Sequence, residues 1–260
     1  MTERGHSRKT VLAASSISTV IYAVVLNPFE VVKNTQIASY NHLSIPQTIR
    51  LIKAKSGFKG LWRGTMPAFL STLISNLVYY SLYEELKPKA DYYFQRLGPG
   101  LAAGTSRAFS AAVASPVERL RTSVQGTGSG GFSLKTKGFQ GLQATLCRDI
   151  VFSFSFFFLM ENTYKVAKEY PLGRVLSTAF GGLVAVGVTQ PFDVLKTKIQ
   201  TNTYSFKKRN PFYGVKKILL EEGFRGTCRG LAARQTKLVL GLVLYINTYE
   251  LLKQFLSSIN

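Results

Sequence analysis

The chain has 260 residues, 33 Lys and Arg against 13 Asp and Glu, a formal net charge of +20, and 46% hydrophobic side chains. That much apolar side chain excludes a disordered basic tail, and the excess charge calls for an anionic partner, nucleic acid or lipid. Its distribution favours lipid: residues 10–29, 65–83 and 175–192 hold no Asp, Glu, Lys or Arg, each window approaches the ~20 apolar residues of a membrane-spanning helix, and no soluble domain is left to hold a nucleic acid.

In chain order, the polar start MTERGHSRKT runs straight into the first apolar segment, which is too long and lacks the small-residue pattern of a cleavable signal peptide. That segment ends in Pro28-Phe29-Glu30-Val31-Val32-Lys33. A polar connection with a short amphipathic helix predicted over 46–55 leads to Trp62-Arg63-Gly64 and a second apolar helix that ends at Glu84. The pattern then recurs. Pro116-Val117-Glu118-Arg119-Leu120-Arg121 is followed by Phe139-Gln140-Gly141 and Glu161, and Pro191-Phe192-Asp193-Val194-Leu195-Lys196 by Cys228-Arg229-Gly230 and Glu250. Each acid lies 20 residues after its glycine (64 to 84, 141 to 161, 230 to 250). Three repeats of two helices predict an all-α membrane protein of six spans, with repeats over 1–95, 96–170 and 171–260. The connectors differ: proline and glycine are 36, 25 and 39 residues apart. The middle repeat replaces the amphipathic helix (46–55 and 211–220 in its neighbours) with the linker-like Gln125-Gly126-Thr127-Gly128-Ser129-Gly130-Gly131.

The other three spans carry charge: Arg107 in the third, Arg148-Asp149 in the fourth, Arg234 and Lys237 in the last. Charges in hydrocarbon cost several kcal/mol, so these face a wet interior or one another. Arg148 and Lys237 each lie seven residues after the repeat glycine, and the same offset gives Ser71, with Thr72 beside it. Helical spacing predicts Ser71/Thr72, Arg148/Asp149 and Lys237 at one depth near mid-membrane, as substrate contacts. Two readings stand for Arg148-Asp149, a structural ion pair or the carboxylate and ammonium partners of an α-amino acid head group. Two also stand for Arg107, cavity or snorkelling. Gly100/Gly104 and Gly182/Gly187 read as helix-packing devices, and the Phe152–Phe158 run as lipid- or core-facing bulk. Cys147 and Cys228 stand alone and read as packed thiols; with His6 and His42 in polar surroundings they support no metal site. No Walker loop or nucleophile elbow is present, so no enzyme is predicted.

The thrice-repeated P-x-[DE]-x-x-[KR] blocks, the aromatic-basic-glycine landmarks and the endings Tyr83-Glu84-x-x-Lys87 and Tyr249-Glu250-x-x-Lys253 resemble the mitochondrial carrier family over almost the whole chain. The resemblance implies a monomeric six-helix bundle with threefold pseudosymmetry and short matrix helices, working by alternating access in the inner mitochondrial membrane. It implies a matrix gate of ion pairs, Glu30 with Arg121, Glu118 with Lys196 and Asp193 with Lys33, drawn together by the proline kinks. Gln125 and Gln200 match the family's brace positions; in the first repeat that slot is Ile37, with Gln36 one residue early. Glu84, Lys87, Glu161, Glu250 and Lys253 form the implied cytosolic gate, in which Tyr164 stands where a base is expected. Cardiolipin is implied as a bound lipid near Gly64, Gly141 and Gly230; no other cofactor is.

Leu61–Ala68, Leu146–Ser153 and Thr248-Tyr249-Glu250 look like the branch linked to glutathione import and manganese trafficking. A γ-glutamyl zwitterion with a further carboxylate suits Arg148, Asp149, Arg234 and Lys237. The cysteine-bearing matrix loop of animal members is absent and the middle repeat is short, so carriers of glycine or S-adenosylmethionine, and a carrier fold without transport, remain as alternatives.

Overall fold

The computed structural model describes residues 21–39, 43–94, 98–127, 139, 141–170, 172–203 and 210–259. Among them every regular element is helical. Residues 21–25 are helical and turn at Leu26 into α1 (Asn27–Ala38), with Pro28 in its first turn, where its missing N–H costs no bond. The amphipathic α2 (Ile45–Ser56) is fixed at its start by a capping box: Ser44 Oγ accepts from Gln47 N and Gln47 Oε1 accepts from Ser44 N. A 3-10 turn over Phe58–Trp62 leads into α3 (Thr65–Phe94). Next come α4 (Gly98–Thr127), α5 (Leu142–Ala167) and α6 (Gly173–Gln200). Pro116 and Pro191 lie inside α4 and α6, where each removes one backbone donor. The second amphipathic helix, α7 (Pro211–Thr227), is capped by Asn210 Oδ1 on Phe212 N and changes direction at Gly223, so it runs past the predicted end at residue 220. α8 (Leu231–Ile259) completes the chain.

α3 packs along α4 and α5 along α6, while α1, α4 and α6, which carry the three proline blocks, touch one another and α8 lies against α1 and α6. The core therefore sits where the proline blocks converge. Val31, Val32, Ile52, Leu61 and Ala233 form one buried apolar cluster, and Ile37, Ala144, Val194, Leu195 and Ile218 a second. Outward stripes are apolar at helical spacing: Leu70, Leu73 and Leu77 on α3, Ile150, Phe154 and Phe158 on α5, Val239, Leu240 and Val243 on α8 are all exposed, the surface a helix presents to hydrocarbon. The phenylalanine run thus divides: Phe154 and Phe158 stack on the outside, Phe152 and Phe156 on a half-buried row. By length and composition α5 and α6 are apolar enough to cross a membrane. Of the small residues read as packing devices, Gly182 abuts Leu238, Gly104 and Gly187 have open space beside them, and the side chain position of Gly100 lies outside the described set.

Three glycines give the repeats one geometry. Gly64, Gly141 and Gly230 take φ of +75°, +87° and +76°, and a Cβ there would stand 2.9, 3.1 and 2.8 Å from Gln125 Cγ, Gln200 Cγ and Lys33 Cγ. Glycine is required twice over, by the left-handed backbone and by the neighbouring helix.

Candidate functional site

The three proline blocks bring their charges to one place. Lys33 Nζ lies 3.0 Å from Asp193 Oδ2, Lys196 Nζ 2.5 Å from Glu118 Oε1 and Arg121 Nη2 3.4 Å from Glu30 Oε2. Each proline-block acid thus meets a base from another block. Lys33 also reaches back to Glu30 at 3.5 Å.

Two of the residues read as substrate contacts join this ring directly. Lys237 Nζ is 2.6 Å from Glu30 Oε1 and 5.2 Å from the centre of the Tyr22 ring. Arg148 forks between Asp149 Oδ1, at 2.7 and 2.9 Å, and Asp193 Oδ1 at 3.1 Å. Arg234 donates to Gln190 Oε1 (3.1 Å), Thr189 Oγ1 (3.2 Å) and the Val186 carbonyl (3.4 Å), one to two turns before Asp193. Ser71 is buried and the Thr72 hydroxyl donates to the Ala68 carbonyl at 2.9 Å, so neither bonds to the charged network among the described residues. Arg107 is exposed.

Six cations (Lys33, Arg121, Arg148, Lys196, Arg234, Lys237) therefore face four acids (Glu30, Glu118, Asp149, Asp193), an excess of two positive charges. The side chains of Arg148 and Lys237 keep 19% and 17% of their surface open, whereas Asp193 keeps 2%. Desolvation nearly cancels the gain from a buried ion pair, whereas losing one partner of such a pair costs about 3–5 kcal/mol. The network is thus easy to exchange and costly to break.

The glutamines sit differently from a brace on the ion pairs. Gln125 is fully buried; its Nε2 donates to Asn27 Oδ1 (2.8 Å) and its Oε1 accepts from Asn34 Nδ2 (2.8 Å), tying α4 to α1. Gln200 is equally buried, and its amide has no hydrogen-bond partner among the described residues. Gln36 donates to the Leu43 carbonyl. Polar residues just before the prolines, missed on the sequence, do related work. Asn27 donates to the Arg63 carbonyl at 3.2 Å and Gln190 to that of Arg229 at 2.5 Å. Their signal was a polar side chain preceding each proline at the end of an apolar run.

At the opposite end Glu84 and Lys87 are exposed, and Lys87 Nζ stands 5.8 Å from the centre of the Tyr83 ring. The side chains of Glu161, Glu250 and Lys253 lie outside the described set. Tyr164 is exposed under the Arg174 guanidinium, 5.3 Å away. Cys147 and Cys228 are half-buried free thiols.

The family profile described as Mitochondrial carrier protein matches residues 7–92 and 167–260. The chain belongs to the mitochondrial carrier family. It is 26% identical to mitochondrial substrate carrier family protein H of Dictyostelium discoideum, over 95% of this chain and 90% of the relative. It is 28% identical to the mitochondrial glutathione transporter SLC25A40 of Mus musculus, over 80% of this chain and 71% of the relative. It is 26% identical to the mitochondrial glycine transporter of Pyricularia oryzae, over 90% of this chain and 87% of the relative. As a carrier of this family it is a multi-pass protein of the mitochondrial inner membrane that moves a small-molecule solute, and its fold is the all-α carrier fold.

Proposed function

We propose that this carrier moves a small amino-acid-like or peptide-like metabolite bearing at least two carboxylates, with glutathione as the first candidate, by alternating access through six spans in three repeats (1–95, 96–170, 171–260). The observation that carries this is the double engagement of Arg148 and Lys237: each is held by a gate acid, Asp193 at 3.1 Å and Glu30 at 2.6 Å, yet stays partly open to solvent. A substrate carboxylate that takes Arg148 away from Asp193, and another that takes Lys237 from Glu30, loosens the closed ring at the moment it binds. Asp149, already on Arg148, is the partner for the ammonium of the zwitterionic head. Arg234 adds positive charge one turn earlier. Ser71 and Thr72 complete the third wall.

In this reading Glu30, Lys33, Glu118, Arg121, Asp193 and Lys196 are the matrix gate, with Gln125 tying it across α1 and α4. Glu84, Lys87, Glu161, Glu250 and Lys253 form the cytosolic gate. The protein works as a monomer with cardiolipin against the helix starts near Gly64, Gly141 and Gly230. The resemblance to a glutathione transporter and the two-charge cationic excess both support the choice of substrate. A glycine-type substrate has one carboxylate fewer and would leave Lys237 on Glu30.

Uptake of radiolabelled glutathione, glycine and S-adenosylmethionine into proteoliposomes tests this. Glutathione uptake is expected to saturate and to be lost in Arg148→Ala and Lys237→Ala proteins that still unfold cooperatively. Glycine uptake that survives Lys237→Ala moves the substrate to a single-carboxylate amino acid, and retained glutathione uptake in both variants refutes the site.

A further inference from the structure

The first and third repeats share one turn after the amphipathic helix: Gly57 takes φ +64°, ψ −166° and Gly223 takes φ +69°, ψ −174°. Counted from those glycines, Ser56 stands where the third repeat has Glu222, Lys55 where it has Glu221, and Arg63 where it has Arg229; counted from the prolines, Thr35 stands in place of Lys198. In the third repeat the Glu222 carboxylate is gripped by Lys198 and, at 3.1 Å, by Arg229, whose Nη1 also donates to the Ser39 carbonyl at the end of α1 (2.7 Å).

Arg63 performs the same capping in the first repeat. It donates to the carbonyls of Gln125 (2.6 and 3.0 Å) and Gly126 (3.2 Å) at the end of α4, and to Thr35 Oγ1 (2.8 Å). What it lacks, among the described residues, is the carboxylate. Beside it is a cavity of about 180 Å³ bounded by Thr35, Ser39, Lys55, Gly126 and Thr127. A water occupies about 30 Å³ of liquid, so the space admits a tetrahedral anion with some of its hydration.

Charge decides what fits. Losing the counterparts of Lys198 and Glu222 together is neutral, but Lys55 in place of Glu221 is not, and no Asp or Glu lies between Glu30 and Glu84 while Lys33, Arg50, Lys53, Lys55, Lys59 and Arg63 do. Burial, with no acid to oppose it, pulls the Arg63 guanidinium below its ordinary pKa.

We propose that this cavity binds one oxyanion, a phosphate or carboxylate group, between Lys55 and Arg63, in the place that Glu222 fills from within the third repeat. The anion ties α2 to the ends of α1 and α4 on the face of the molecule away from Glu84 and Lys87. Its source is a free solute of that compartment or a lipid headgroup, and the same variants separate them.

The full chain, purified in uncharged detergent, is unfolded thermally against rising inorganic phosphate, with chloride of equal ionic strength as the control. Wild type is expected to gain a saturable rise in Tm with phosphate but not chloride. Ser56→Glu, which supplies the carboxylate internally, starts from a higher Tm and does not respond to phosphate. If Ser56→Glu does not fold, Lys55→Glu at an exposed position serves in its place and is expected to lose the response. A parallel set in phosphatidylcholine nanodiscs with and without phosphatidic acid completes the test. A wild-type rise with phosphate, absent from the variants, supports a free anion. A rise with phosphatidic acid alone, again absent from the variants, supports the same site filled by a headgroup. Equal responses of wild type and variants, equal effects of phosphate and chloride, or no response to either phosphate or phosphatidic acid overturn the proposal.

Discussion

Val31 and Val194 occupy the same place in the first and third proline blocks, and Arg119 occupies it in the second. All three are fully buried. In the outer repeats the valine packs under an amphipathic helix, against Ile52 of α2 or in the cluster that holds Ile218 of α7. In the middle repeat no helix lies between α4 and α5 among the described residues, and Arg119 Nη2 instead donates to Asn202 Oδ1 at 2.9 Å, just past the end of α6. A valine suits a position under an apolar helix, whereas the equally buried Arg119 reaches across to the next repeat with a charged fork.

Exchanging the two kinds of residue is the most forceful way to break this comparison. Val194→Arg places an unpaired charge among Ile37, Ala144, Leu195 and Ile218 and is expected to cost more than about 4 kcal/mol, enough to abolish a cooperative thermal transition in detergent. The reciprocal Arg119→Val removes, among its interactions, the charge-assisted bond to Asn202, with an expected loss of at least about 1.5–3 kcal/mol. If Arg119→Val instead stabilises the protein, the middle repeat does not depend on the arginine and the comparison fails.

Truncating the covering helices sharpens it. Ile52→Ala and Ile218→Ala, both at 1% exposure, are each expected to lose about 2–5 kcal/mol by opening a cavity under α2 or α7. Thermal unfolding of the two variants should give similar shifts. A large shift in one alone would mean that the outer repeats are not energetically alike. A comparable effect is expected at Asn202, which holds φ at +55° while accepting from Arg119. Asn202→Ala forfeits the bond and adds about 1–2 kcal/mol of left-handed strain; Asn202→Gly loses only the bond, and the difference between them measures the backbone share.

The same contrast explains what could be read before the structure. The ring of Glu30, Lys33, Glu118, Arg121, Asp193 and Lys196 was legible because three copies of one motif constrain each other, and the two amphipathic helices because Pro46 and Pro211 mark their starts. The Arg119–Asn202 bond was not, since it joins residues 83 apart and belongs to one repeat alone. Its signal was present as the one arginine in a column of valines. The attachment of Arg148 to Asp193 and Lys237 to Glu30 was also hidden: residue spacing places side chains on a helix but says nothing of how far a lysine or arginine reaches toward a neighbouring helix. Gln200, whose amide finds no hydrogen-bond partner among the described residues, shows the limit of repeat reasoning, because Gln125 at the matching position depends on Asn27 and Asn34, whose counterparts in the third repeat are Gln190 and Thr197.

The gentlest change lies at the far end of the middle repeat, where Tyr164 stands in place of a gate base. The site is exposed, so Tyr164→Lys is expected to alter stability by no more than about 0.5 kcal/mol, although it exchanges the stacking on Arg174 for a like charge. Its effect should fall on the transport cycle. On the proposed gating, a lysine there gives the acids of the cytosolic ring a third base, holds that end closed for longer and slows turnover while leaving the substrate KM largely unchanged. The slowing should shrink as ionic strength rises, because exposed pairs are screened beyond a Debye length of about 8 Å in physiological salt. Initial uptake rates at low and high salt in proteoliposomes read both quantities. An unchanged rate with unchanged conformational bias would mean that the middle repeat takes no part in closing that end, and its departure from its neighbours would then be confined to the matrix side around Arg119.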